Sequence, residues 1–384
     1  MSLSRHLFST PVDLATAQRH IYDALVVGAG PAGSSAAYHL AKNGVDVLLV
    51  DRASFPRTKA CGDAIMPPAL VELERMGVAD EVRQRFTRVD HIGMWVQGTP
   101  PSVHPVGKAE EGGNACIAPR DDFDAFLCEH ALRHGSAWLD RMTVHEVLAE
   151  TAVARVRGSY NRHEVELKAH MVIAADGSGS RIARKVRERV QEKVMGGGPS
   201  MAHPLTPPQD DRARFTAIRG YVAGITGLGN ALEFYFREDG TTYYWIFPVE
   251  GGLANVGVLA SMAQLRSRKT DLKRSLAAFL HAPELQERAA NAHFAGQLSA
   301  APIHAGLRGT ALFDDRLLCI GDAAALVDPN SAEGISAALW SGRIAAETAI
   351  VALKKNDISR QFLSRYGSAV YARYLARYDT MLRQ

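Results

Sequence analysis

Near the start of the chain, Gly28-Ala29-Gly30-Pro31-Ala32-Gly33 has the spacing GxGxxG. It follows a short apolar run, Ala24–Val27, and opens a helical pattern, Pro31–Lys42, closed by Asn43-Gly44. In that setting Gly28 permits a tight turn, Gly30 lets the backbone approach a pyrophosphate, and Gly33 allows helix and strand to pack closely. The helix end at Pro31 and Ala32 offers N–H groups and a partial positive charge to phosphate oxygens. Val45–Val50 is a second apolar run. Asp51 ends it about 20 residues past the glycines, where a carboxylate accepts hydrogen bonds from a ribose. A bare GxGxxG is a weak signal. Strand, helix and acid in order predict a dinucleotide site, without separating FAD from NAD.

Two later segments favour FAD. Ala174-Ala175-Asp176-Gly177-Ser178-Gly179-Ser180 follows an apolar strand and precedes the basic stretch Arg181–Arg189. Leu318-Cys319-Ile320-Gly321-Asp322-Ala323-Ala324 follows another. An aspartate so placed accepts a ribityl hydroxyl. A helix beginning after Pro329, near Ser331, would aim its N-terminus at the flavin pyrimidine edge. Reduced flavin carries negative charge there, which a helix end stabilises by about 0.3–1 kcal/mol. Each segment alone reads as a turn; all three in this order read as a flavin site.

The order GxGxxG, Arg120 before a helix, Asp176-Gly177, Gly321-Asp322 resembles the para-hydroxybenzoate hydroxylase-like flavoproteins. Within them the chain looks most like the geranylgeranyl reductase family. The residues carrying this are Asp51-Arg52-Ala53-Ser54-Phe55-Pro56-Arg57, Lys59-Ala60-Cys61-Gly62-Asp63, Tyr243-Tyr244-Trp245-Ile246-Phe247-Pro248 (YxWxFP) and Asp328-Pro329-Asn330-Ser331-Ala332-Glu333-Gly334-Ile335 (NPxxGEGI). The likeness spans roughly residues 22 to 350. Asp328 stands where the family usually has Asn, Ala332 where it usually has Gly, and Gly257-Val258-Leu259 lacks a second Gly.

The resemblance implies an α/β fold: a Rossmann-type FAD-binding domain interleaved with an antiparallel-sheet substrate domain. It adds Arg52, Cys61, Gly62, Asp63, Arg120, Pro329, Glu333, Gly334 and Ile335 to the cofactor-binding residues. It also puts Cys61 near the isoalloxazine, as a catalytic or gating residue. Arg57 and Lys59 precede Cys61 and would favour a thiolate; a small structural cysteine is the plain alternative.

Period-2 geometry puts Tyr243, Trp245 and Phe247 on one strand face, which by resemblance lines the substrate cavity. An aromatic wall suits an apolar or planar small molecule, prenyl or carrier-bound. Sheet packing is the alternative for each of the three. The reading is a reductase delivering hydride from reduced flavin to an alkene. A monooxygenase, oxidase or halogenase on the same scaffold is the rival. The halogenase pattern GWxWxIP is broken at Thr242, Tyr243 and Phe247. A non-catalytic flavin-binding subunit is a third reading. There is no second GxGxxG between strand and helix, so NAD(P)H would bind transiently, or electrons would come from another donor. His130 and His134 share a helix face without a third ligand, so no metal is expected.

The elements that must position these residues fall into two patterns. Runs at Val144–Val156, Glu164–Leu167, Met171–Ala175 and Leu317–Ile320 read as strands. Phe215–Val222, Leu232–Phe236, Tyr243–Pro248 and Ala254–Leu259, with turns such as Asp239-Gly240, read as an antiparallel sheet. Gly196–Pro208 and Asp210–Arg214 read as a crossing between domains, and Ser261–Ala292 as a helix broken near Pro283. Tyr366, Val370, Tyr374 and Tyr378 form a packing stripe on a last helix, Ile358–Leu382. The expected division is a flexible arm at 1–20, FAD-binding segments 21–90, 115–190 and 305–384, and substrate segments 91–114 and 191–304.

The net charge of +3 without a dense basic block excludes nucleic acid as the main partner. Four scattered cysteines indicate a reducing compartment, so a cytoplasmic location is expected. No run of about 18 apolar residues predicts a spanning helix; contact with a membrane would be peripheral.

Overall fold

The computed structural model describes residues 11–107, 114–195, 214–237, 242–307 and 311–382. The chain runs through α1 (Leu14–Arg19), β1 (Ile21–Val27), α2 (Pro31–Lys42), β2 (Val47–Val50), β3 (Ala64–Ile65), α3 (Pro67–Met76), α4 (Ala79–Arg85), β4 (Thr87–Val89), β5 (His91–Val96), β6 (Ser102–Pro105) and β7 (Ala115–Ile117). It continues with α5 (Arg120–Arg133), β8 (Ala137–Leu139), β9 (Met142–Ala149), β10 (Ala154–Tyr160), β11 (His163–Ala174), α6 (Arg181–Met195), β12 (Arg214–Ala223), β13 (Ala231–Phe236), β14 (Tyr243–Val249) and β15 (Leu253–Ser261). It closes with α7 (Met262–Arg268), α8 (Leu272–Leu280), β16 (His293–Phe294), β17 (Ser299–His304), β18 (Phe313–Asp314), β19 (Leu317–Cys319), α9 (Ile335–Lys355) and α10 (Arg360–Leu382). Two compact units result: Met1–Arg57, Asp124–Gln209 and Gly306–Gln384 make the first, Thr58–Phe123 and Asp210–Ala305 the second.

The first unit is built on a sheet in the order β18-β19-β11-β1-β2-β8, with β10 and β9 added on β11. From β19 to β8 the pairing is parallel. Val27 pairs with Val50 and with Ala174, and Ala174 pairs with Cys319. The turns after four neighbouring strands therefore leave one sheet edge together, the carboxyl edge where open α/β sheets bind ligands. α2 runs against α9 at a distance only small residues allow. A Cβ on Gly342 would sit 2.4 Å from the Ala32 carbonyl, and the Ser35 hydroxyl donates to Leu339 O at 2.9 Å.

Residues 11–20 are ordered, contrary to the expected arm. Asp13 caps α1 by accepting the Thr16 N–H, Val12 N–H donates to Trp138 O, and Ala17 is buried. Residues 1–10 lie outside the described residues. The stripe on α10 is packing, as expected: Tyr366 and Val370 are buried, and the Tyr366 hydroxyl donates to Cys319 O. The Tyr378 side chain lies outside the described residues. The two runs at 164–175 form one continuous strand, β11.

The second unit carries a sheet in the order β16-β12-β15-β14-β13-β5-β6, with β17 also on β12. It is antiparallel except where β5 pairs with β13. Alternation divides its two faces. Ile218, Tyr235, Tyr244, Ile246, Val256 and Val258 form a core with Leu276 and Phe279 of α8, Tyr244 stacking on Phe279 at 4.4 Å. Arg219, Tyr221, Phe234, Phe236, Tyr243, Trp245, Phe247 and Asn255 fall on the opposite face. Residues 58–90 and 115–123 belong to this unit and not to the cofactor domain, because β3 and β4 pair with β7, not with the parallel sheet. The helix expected over 261–292 is two helices. Lys269 turns left-handed at φ +50°, and Asp271 caps α8 by accepting the Lys273 and Arg274 N–H groups. The crossing at 196–213 and the Asp239-Gly240 turn lie outside the described residues.

Candidate functional site

In the first unit the glycine turn closes as its spacing requires. Gly28 has φ +101°, and a Cβ there would meet Ala175 O at 2.3 Å. A Cβ on Gly33 would lie 1.7 Å from Gly28 O. Gly30 instead faces only the Arg57 guanidinium at 3.6 Å and Asp124 Oδ2 at 3.9 Å. Gly30 caps α2 with no side chain of its own, so the helix end carries no side-chain cap. Asp51 is buried, and its two oxygens accept the Ala29 N–H at 2.8 Å and the Ala53 N–H at 2.9 Å. Arg57 lies 3.4 Å from Asp51 and 3.1 Å from the buried Asp124.

Arg57 is thus committed to two carboxylates of this unit and is not the activator of Cys61 that its place in the sequence indicated. Asp124 was missed altogether. The sequence shows only a third acid near the start of a helix that also carries Asp121 and Asp122; its burial appears in the structure alone. Arg52 is exposed.

Asp176 holds its own turn. Its Oδ1 accepts the Ser180 hydroxyl at 2.6 Å, burial raises its carboxyl, and Gly177 follows at φ +84°. Gly321, at φ +55°, lets the next turn pass beside Ala32, whose Cβ would be 2.9 Å from one added at Gly321. Asp322 brings Oδ1 to 3.3 Å from the Cβ position of Gly334, so the carboxylate and the start of α9 are adjacent.

α9 begins at Ile335, four residues later than the sequence pattern indicated, because 328–334 is a turn. Asp328 Oδ1 accepts the Asn330 and Ser331 N–H groups, Asp328 N–H donates to Glu333 O, and Glu333 accepts the Ser336 N–H at 2.7 Å. Pro329 is half-buried within it. Ala332 stands at φ +55°, a left-handed conformation glycine adopts without strain. The Asp328 carboxylate holds the turn in spite of that departure. The Ser336 hydroxyl, in the first turn of α9, is buried without a partner. An open glycine cradle, an α2 end with no side-chain cap and an orphaned hydroxyl at α9 fit a dinucleotide with a hydrogen-bonding ring.

In the second unit, Asp63 is fully buried. Its Oδ2 accepts from the Tyr221 hydroxyl and from Asn255 Nδ2, each at 2.7 Å, while Oδ1 has no partner. Asn255 also donates to Cys61 O at 2.9 Å and accepts the Trp245 indole N–H at 3.0 Å. Burial pushes the Asp63 carboxyl up to about 6, against the pull of Arg219 and of these hydrogen bonds. Cys61 is half-buried, and burial pushes its thiol up, ahead of the lowering by the buried Arg120. The thiolate expected from Arg57 and Lys59 is therefore replaced by a protonated thiol.

Trp245 and Phe247 are only 5% and 4% exposed. A Cβ on Gly62 would come within 2.9 Å of Phe247, so the segment through Gly62 lies directly on that pair. Tyr243 remains half-exposed beside Phe234 and Phe236. His130 and His134 pack on Tyr38, and no cluster of metal-ligating side chains exists among the described residues.

The family model for the FAD binding domain matches residues 21–367. Menaquinone reductase of Mycobacterium tuberculosis (strain CDC 1551 / Oshkosh) is 31% identical over 375 residues, covering 90% of this chain and 80% of that protein. Digeranylgeranylglycerophospholipid reductase of Thermoplasma acidophilum is 26% identical over 363 residues, covering 92% and 84%. The crystal structure of a geranylgeranyl bacteriochlorophyll reductase-like protein from Thermoplasma acidophilum aligns with a TM-score of 0.75 at 25% identity, over 92% and 84% of the two chains. The fold is that of the para-hydroxybenzoate hydroxylase-like flavoproteins.

Proposed function

The chain belongs to the FAD binding domain family and is an FAD-dependent oxidoreductase, and from that premise we propose that it reduces a carbon–carbon double bond in the isoprenoid chain of a membrane lipid. The observation that carries this reading is the make-up of the outer sheet face of the second unit. Ile92, Met94, Phe234, Phe236 and Tyr243 are half-exposed there, and period-2 alternation places them together. Such a wall gives an isoprenoid chain apolar contact. The names of the two reductase relatives, with their lipid-soluble substrates, point the same way.

Bound FAD, once reduced, supplies two electrons and one hydrogen to the alkene. Gly28, Gly30, Gly33 and Asp51 bind its dinucleotide part, and the turns at Asp176 and Asp322 with the start of α9 hold the remainder. The apolar face orients the chain and excludes water. The Cys61 thiol, held protonated, is the proton-bearing side chain of the second unit. No helix among the described residues is long and apolar enough to cross a membrane.

The holoprotein, photoreduced without oxygen and mixed with a geranylgeranyl lipid that carries no quinone, is expected to reoxidise as olefinic proton signals disappear from the lipid. Oxygen uptake with a hydroxylated product, and no anaerobic reoxidation by the lipid, would assign the protein to oxygenation instead.

A further inference from the structure

The strap at residues 59–63 is tied to the sheet of the second unit by side chains of two adjacent strands. Arg219 Nη2, on β12, donates to Lys59 O at 3.2 Å. Asn255, on β15, donates to Cys61 O, and Asn255 and Tyr221 both donate to Asp63 Oδ2. Tyr221 and Asn255 are paired in register across β12 and β15, so the two donors arrive together. Asn255 passes the connection on to the Trp245 indole.

Cys61 thus sits between two fixed points. On one side of it is Lys59, on the other a fully buried carboxylate with one unpartnered oxygen. The charged groups facing the thiol are Arg120 and Asp63. Those facing Asp63 are Arg219, Tyr221 and Arg120, and Asp121 acts on Tyr221.

We propose that Asp63 is a positioning residue for Cys61, acting through the strap its carboxylate ties to β12 and β15 and through the negative charge it sets beside the thiol against Arg120. The use made of the thiol rests on the reductase reading; the positioning does not. A tied strap fixes the segment that carries the thiol beside Trp245 and Phe247, and the Asp63 charge adds to burial, against Arg120, in favouring the protonated thiol. A thiol in that state carries a proton and resists oxidation, whereas a thiolate would be a nucleophile.

Iodoacetamide labelling of the native holoprotein tests this, because Cys116, Cys128 and Cys319 are buried and Cys61 is the half-exposed cysteine. The Cys61 labelling rate is followed by peptide mass spectrometry from about pH 6 to about pH 10. In the wild type its midpoint is expected above the ordinary thiol value of 9.0. Asp63→Asn keeps the shape of the carboxylate and removes its charge. Its profile should move to lower pH, with labelling at neutral pH faster by roughly threefold or more.

Tyr221→Phe keeps the charge and removes one tie, so labelling should quicken at every pH without a shift of the midpoint. An Asp63→Asn profile that coincides with the wild type overturns the proposal. Should that variant not fold, an unchanged Tyr221→Phe profile overturns it equally. Alkene reduction is assayed on the same preparations. A shifted profile in a protein whose wild type reduces no alkene sinks the reductase reading and leaves the positioning of Cys61 standing.

Discussion

Burial raises the Asp63 carboxyl from 3.8 to about 6, and neither the attraction of Arg219 nor the bonds from Tyr221 and Asn255 cancels that rise. The folded value lies above the unfolded one, so ionised Asp63 opposes folding. The penalty is fully present above about 6, shrinks as the pH falls through that value, and is gone below 3.8. Its size is on the order of 3 kcal/mol at most, from the conversion of a pKa difference to free energy. Asp63→Asn lacks the penalty at every pH. Its thermal stability relative to the wild type should therefore be greater in mildly alkaline buffer than in acid; a difference independent of pH would refute this account. A buried acid retained at such a cost is what a positioning role for Cys61 leads one to expect.

The glycine turn and α2 act as one piece. Gly33 contacts Gly28 O through its bare Cα, and α2 packs on α9 through Ala32, Ser35 and Gly342. Gly33→Ala inserts a Cβ 1.7 Å from the Gly28 carbonyl oxygen of the turn. Overpacking of this kind costs about 1–3 kcal/mol, which, taken out of cofactor affinity, corresponds to FAD binding weakened by roughly 5–150-fold. Flavin fluorescence titration of the apoprotein measures it, and an unchanged affinity would mean that the turn does not hold the dinucleotide. α9 matters here too, since its start at Ile335 is delayed by the Asp328 turn, which leaves the Ser336 hydroxyl in the first helical turn.

For the molecule as a whole, the sequence contains one GxGxxG between strand and helix. We expect a nicotinamide donor to bind transiently. Bleaching of the bound flavin by NADPH should rise in proportion to NADPH concentration; saturation below about 100 μM would point to a built nicotinamide site. The glycine turn, Asp51, the strands of the second unit from Phe215 to Leu259 and the packing stripe on α10 were all legible in the sequence. Each is written in short-range signals: glycine spacing, alternation with period 2, repetition with period 3.6. The partners of charged groups were not legible. Arg57 stands four residues before Cys61 in the chain, yet it pairs with Asp51 and Asp124. Asp63 meets Tyr221 and Asn255 from strands more than 150 residues away, as the separations of 158 and 192 residues record. Trp245 and Phe247 read as an open wall until Gly62 is seen lying on them. Local pattern determines which face of a strand a side chain takes. What covers that face, and whether a buried charge finds its counter-ion, depends on contacts between distant segments, which only the tertiary structure decides.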